Sequence, residues 1–159
     1  MSVGPRIVFV RFIDGDSPKL TPWVAHVARV LGPIFRRQPS AQDGGLLVWQ
    51  LVSGNNRQLA RSVAIHDSFE AASASARAIV ESGMSLSVES VSEAGRGVYG
   101  WYASLNGDPV MTCARWYVND RDRRNSIELA LKSVAAATLH SGSRLTDPVE
   151  TGTESGLRG

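Results

Sequence analysis

GWYASLNGDPVM, Gly100 to Met111, decides how this chain is read. Two aromatics lead into Asn106-Gly107, and a short apolar run leaves it. Val98–Leu105 and Val110–Val118 flank the turn as apolar, partly alternating runs. Asn-Gly between such runs is the strongest short-range hairpin signal. VWQLVSGNNRQL, Val48 to Leu59, repeats the pattern upstream, with Trp49 lying 52 residues before Trp101. Leu46 and Val98, Leu59 and Met111, Asp67 and Asn119, and Ile79 and Leu131 hold the same offset. A spacing near 50 is too long for most solenoids and suits a duplicated small α+β module.

The remaining elements follow from periodicity and punctuation. Ile7–Phe12 is β-branched and aromatic, and reads as a strand. In TPWVAHVARVLGP, Thr21 is placed to cap a helix, Pro22 suits its first position and Gly32-Pro33 ends it. Val24, Val27 and Leu31 share one face. Thr21–Leu31 also meets the next helix at the 52-residue offset, so this first segment reads as a degenerate partial copy. A short strand is expected over Ile34–Gln38, and longer ones over Leu46–Ser53 and Leu59–Ile65. Asp67 with Glu70 resembles a capping box for a helix that turns Phe69, Ala72, Ala76 and Ile79 inward and stops at Gly83. Met84, Leu86 and Val88 alternate with polar residues in a further strand. Asn119 or Asp120 caps the last helix, with Ile127, Ala130, Leu131, Val134 and Thr138 inward. From Ser141 the chain is polar, rich in Gly, Ser and Thr, and expected to be disordered.

These elements predict an α+β fold: a mostly antiparallel sheet packed against three helices, with tandem βββα modules and an N-terminal strand-helix extension. The expected organisation is one compact domain over 1–140, made of the extension (1–33), a first module (34–83) and a second (84–140), followed by a tail (141–159).

The pattern resembles the YegP-like domain family. The second unit matches at Trp101, Asn106-Gly107, Val110, Tyr117, Asn119 and Ile127; the first matches at Trp49, Asn55, Leu59, Ala60 and Ala71. The resemblance covers roughly Phe35–His140. The first unit departs from it with GNNR at the turn and Ile65 at an aromatic position, and Arg123 stands where the family usually carries Ala. The resemblance implies three-stranded antiparallel meanders, each followed by a helix, and sheets that tend to associate. It carries over no catalytic residue.

Composition narrows function only coarsely. The chain has 159 residues, 43% hydrophobic and 20% charged, with formal charge +2 and pI near 9.0. This is less basic than is usual for nucleic-acid binding. A single cysteine, Cys113, forms no internal disulfide and fits a reducing compartment. The apolar run at the N-terminus is interrupted by Arg11 and is too short for a secretory core or a membrane span. The expectation is a cytoplasmic protein that does not engage a membrane.

No reaction chemistry emerges. His26, His66 and His140 stand at no metal-ligand spacing, and no cofactor is implied. Cys113 sits mid-strand, where a thiol behaves as a small hydrophobe. The carboxylate pairs of DGDSPK and NDRDRR lack the ligand count and closing Glu of a calcium loop. GRGVYG lacks the strand-to-helix setting of a phosphate loop. Trp49, Tyr99, Trp101 and Trp116 read first as core or cross-strand residues.

The one suggestive cluster is ARWYVNDRDRRN, with Arg115, Trp116, Tyr117, Arg121, Arg123 and Arg124. The expected function is a non-enzymatic interaction module. It would bind a partner protein or a second copy of itself through an open sheet face and the Arg-rich start of the last helix. The alternative is single-stranded RNA or DNA held by these six residues, guanidiniums on phosphates and aromatics on bases.

Overall fold

A computed structural model describes residues 4–12, 18–35, 46–93 and 95–145. Seven strands and three helices follow in the order β1 (Arg6–Phe12), α1 (Leu20–Leu31), β2 (Leu46–Val52), β3 (Gln58–Ser62), α2 (Phe69–Glu81), β4 (Ser87–Glu93), β5 (Val98–Leu105), β6 (Asp108–Cys113), α3 (Asp120–Ala136) and β7 (Thr138–Leu145). One sheet contains all seven strands, in the order β4-β5-β6-β3-β2-β1-β7. Only β1 and β7 run parallel. The fold is α+β with a mostly antiparallel sheet.

The decisive turn forms as its sequence demands. Asn106 has φ 54° and Gly107 φ 87°, and β5 and β6 pair directly across them. The meanders β1-β2-β3 and β4-β5-β6 meet where β3 pairs with β6. β1, read from the sequence as the strand of an N-terminal extension, therefore lies inside the sheet between β2 and β7.

Alternation along the strands divides the interior into two layers. Ile7, Phe9, Leu47, Trp49, Leu51, Trp101, Met111 and Cys113 face α2 and α3, joined by Ala72, Ala76, Ile79, Ala130 and Val134. Val10, Phe12, Leu46 and Val48 face the other way, against Leu20, Trp23, Val27 and Leu31 of α1. The run LLVWQLV of β2 is apolar almost throughout because helices cover it on both sides. The sequence reading left one sheet face open. α1 covers the middle of that face, since its own apolar stripe requires a partner.

Helix starts shift by a residue or two from their expected positions. α1 begins at Leu20 after Lys19, so Thr21 lies inside the first turn and does not cap. Starting there brings Leu20 and Trp23 onto the buried face. Ser68, not Asp67, caps α2, its Oγ accepting from the Ala71 N–H at 3.0 Å. The reason is upstream: His66 exchanges two backbone bonds with Leu47, at 2.7 and 2.8 Å, and holds the chain extended to that point. Phe69 then packs edge-on against Phe9, ring centres 5.0 Å apart. Asn119 caps α3 as expected, accepting from the Asp122 N–H at 2.7 Å.

Two expectations fail at the chain's irregular parts. Ile34 belongs to a short 3-10 turn, Gly32–Ile34, and not to a strand; most of the expected strand falls outside the described residues. The stretch after Ser141 is strand as far as Leu145, paired in parallel with β1. That pairing uses backbone groups, so the polar composition of SGSRL does not announce it. Thr138 is the first residue of this strand and not part of the inward face of α3. The expected tail beyond Leu145, and the carboxylates of DGDSPK, lie outside the described residues.

Candidate partner-binding groove

The six residues singled out from the sequence do not form one patch. Strand alternation beyond β6 sends Trp116 and Tyr117 to opposite sides of the sheet. Trp116 points under α1: His26 meets it edge-on at 6.2 Å and the Arg29 guanidinium lies 5.5 Å from its ring centre. Gly100 forms the floor, and a Cβ there would lie 3.0 Å from the Trp116 ring. Tyr117 points toward α3, where its hydroxyl donates to Ser126 Oγ at 2.8 Å. Two backbone bonds of 2.8 Å to Tyr99 hold it.

The arginines also divide. Arg123 is turned inward: it donates to the Val91 carbonyl at 3.2 Å, pairs with Asp120 and lies 5.2 Å from the centre of the Tyr99 ring. Arg124 pairs with Asp120 at 3.2 Å along the exposed face of α3. Arg115 and Arg121 are exposed, and no carboxylate pairs with either among the described residues. The Arg115 guanidinium lies over Tyr117, 5.5 Å from the ring centre.

Arg115 and Tyr117 instead join residues distant in sequence. They line a groove of about 320 Å³ with Arg57, Gln58 and Leu59 at the β2-β3 turn, and with Asp122, Asn125, Ser126 and Leu129 of α3. Arg57 is held by its own N–H, which donates to Ser53 Oγ at 3.1 Å. Asp122 contributes the groove's one carboxylate, and it accepts from the Asn119 amide at 3.3 Å. Leu129 is 42% exposed, and Val118, beside Tyr117, is 75% exposed. Two unpaired guanidiniums, one engaged carboxylate and the exposed Leu129 side chain thus share one surface. Sequence reading missed Arg57 and Leu129, because only the β3-β6 pairing brings the first turn to the start of α3.

The reactive side chains are built into the core. Cys113 Sγ lies 3.4 Å from the Trp101 N, and burial pushes its thiol up to about 11. His26 donates through Nε2 to the Cys113 carbonyl at 2.8 Å. Burial, with the Arg61 charge, holds this imidazole down at about 4. His66 is lowered by burial as well. Among the described residues, no three His, Cys, Asp or Glu side chains gather as a metal site, and no helix is long and apolar enough to cross a membrane.

No protein-family description matches this chain, and no curated protein matches it. Among solved structures it is similar to the solution NMR structure of yegP from E. coli, described as a protein of unknown function. The two share 12% identity at a TM-score of 0.44, over 90% of this chain and 93% of that one. The neighbour is the protein whose family the hairpin residues resemble.

Proposed function

We propose that the chain is a non-catalytic binding module that takes an acidic, partly apolar segment of a partner protein in the groove between the β2-β3 turn and α3. The convergence of Arg57 and Arg115 on Tyr117 and Leu129 carries this reading. Carboxylates of the segment would pair with the two guanidiniums, which no carboxylate of the chain neutralises among the described residues. Its apolar side chains would cover Leu129. Arg121, exposed at the start of α3, extends the positive rim. The burial of Cys113 and the low basicity of His26 support a role without catalysis.

An acidic peptide suits the site better than a single-stranded nucleic acid. Base stacking needs an open aromatic face. Trp116 is enclosed by α1, and Tyr117 carries Arg115 over its ring.

The test is fluorescence anisotropy with a labelled Asp/Leu-rich peptide, and with labelled single-stranded RNA and DNA, at low and moderate salt. The expected result is peptide binding that drops about tenfold or more in Arg57→Ala plus Arg115→Ala, since two charge-assisted bonds are lost. Nucleic-acid binding with a steep salt slope that falls in Arg121→Ala plus Arg124→Ala would replace this reading with the alternative. Peptide binding untouched by the Arg57 and Arg115 changes would remove the groove from it.

A further inference from the structure

A second pocket opens on the α1 side of the sheet, beside the helix start, and shares Gln58 with the groove. It holds about 240 Å³, with Val10, Phe12 and Trp23 among its walls and Lys19, Gln50 and Arg61 among its polar groups. This is smaller than the roughly 300–1,000 Å³ of a drug-sized site, so it suits a small ligand.

Arg61 is the unusual member. It stands in the middle of the sheet on β3, with Gln50 of β2 and Thr112 of β6 as its register partners. Its guanidinium stacks over Trp23, 4.7 Å from the ring centre, and donates from one Nη to the Ala114 carbonyl at 2.8 Å. Its Nε is buried and has no acceptor, and no carboxylate pairs with it among the described residues. Gln50 Oε1 is likewise buried without a donor. A charge drawn out of water without a counter-ion is costly, and burial lowers the basicity of this guanidinium. Lys19 adds a second cation, and α1 starts there with neither a side-chain cap nor an acidic residue in its first turn.

We propose that this pocket binds a small monocarboxylate with an apolar body, its carboxylate on Arg61 and its body against Trp23, Phe12 and Val10. The carboxylate accepts from Arg61 Nε and supplies the missing counter-charge. Half a turn of the Gln50 amide presents Nε2 as a second donor to it. Lys19 stands at the mouth as a screened, weaker attraction. Gln58 lines both this pocket and the groove on α3, but the tests touch different residues, Arg61 and Lys19 here and Arg57 and Arg115 there, so either reading can fail without the other.

The experiment is an NMR titration of the intact chain that follows the Trp23 indole resonance, with benzoate, hexanoate, benzamide and N-acetyl-leucine as probes. Benzoate or hexanoate is expected to shift that resonance and saturate it with Kd below about 1 mM. Benzamide, the same body without the charge, is expected to bind at least about tenfold more weakly, as the loss of one charged hydrogen bond requires. Arg61→Met should weaken benzoate by a similar factor. If that variant does not fold, Lys19→Gln, at the exposed pocket mouth, should weaken it about two- to threefold at low salt. Equal binding of benzoate and benzamide overturns the proposal, as does the absence of any saturable shift. Tighter binding of N-acetyl-leucine than of benzoate or hexanoate, weakened in turn by Arg61→Met, would support the carboxylate site and narrow its ligand to an acylated amino acid or peptide C-terminus.

Discussion

His26 Nε2 donates to the Cys113 carbonyl oxygen at 2.8 Å, and this bond ties α1 to the end of β6 across 87 residues of chain. The carbonyl needs a donor, so the imidazole must keep its Nε2 proton, and burial keeps the ring from taking a second one. With Arg61 nearby, the imidazole is held at about 4, against 6.5 in the unfolded chain.

A pH dependence of stability follows. Between pH 6.5 and 4 the unfolded state binds a proton at His26 that the folded state does not. Stability is therefore full above pH 6.5 and falls as pH drops to 4, by about 2 kcal/mol after allowance for the ring's partial exposure. Urea midpoints measured from pH 7.5 to 4 will show this slope. His26→Gln keeps a donor for the carbonyl and has no proton to gain, so its slope in the same window should be flatter. An unchanged slope would assign the pH dependence to other groups.

Trp49 and Trp101 occupy matching places in the two meanders but differ at one atom. The Trp101 indole N–H donates to Ser126 Oγ at 2.9 Å, while the Trp49 indole N–H is buried with no acceptor. Replacing each by Phe removes similar volume. Trp101→Phe also loses a hydrogen bond and should cost about 1 kcal/mol more than Trp49→Phe. Urea denaturation of the two variants compares them directly, and equal costs would deny the Ser126 bond any net contribution.

Cys113 is a core thiol held protonated at neutral pH. In the native chain it should react with a thiol-selective aromatic disulfide at least about a hundredfold more slowly than in urea, because the thiolate is the reacting species and access requires opening. A native rate close to the denatured one would expose this side chain and reopen a chemical role for it.

Gly107, at φ 87°, closes the β5-β6 hairpin. Gly107→Ala should destabilise by about 1 kcal/mol, since a side chain disfavours that conformation. Gly95, which has open space about it, should tolerate the same change. Thermal melts of both variants check the contrast.

Much of the fold was legible because its signals are local. The Asn106-Gly107 turn, the Asn119 cap and the inward faces of α2 and α3 each depend on residues within a few positions of one another. What escaped depends on tertiary pairing. The strand at Thr138–Leu145 borrows its partner from β1. The second face of β2 is covered by a helix that the sequence shows only as amphipathic. The site was less legible for the same reason. Consecutive arginines and aromatics from Arg115 to Arg124 look like a cluster in the sequence, yet strand alternation and the Asp120 pairs disperse them. Arg61, a cation within an otherwise core-facing strand, was the overlooked signal.

β1 carries a consequence for how the chain is born. It lies between β2 and β7, and its second neighbour is synthesised only after every other described element. On the ribosome, IVFV of β1 must wait with one hydrogen-bonding edge vacant while three helices and five further strands emerge. Loop-closure entropy then makes the final parallel pairing a late step, and the nascent chain is most exposed to wrong pairing during that interval. The last strand is thus the latch of the sheet, closed when translation has passed Leu145.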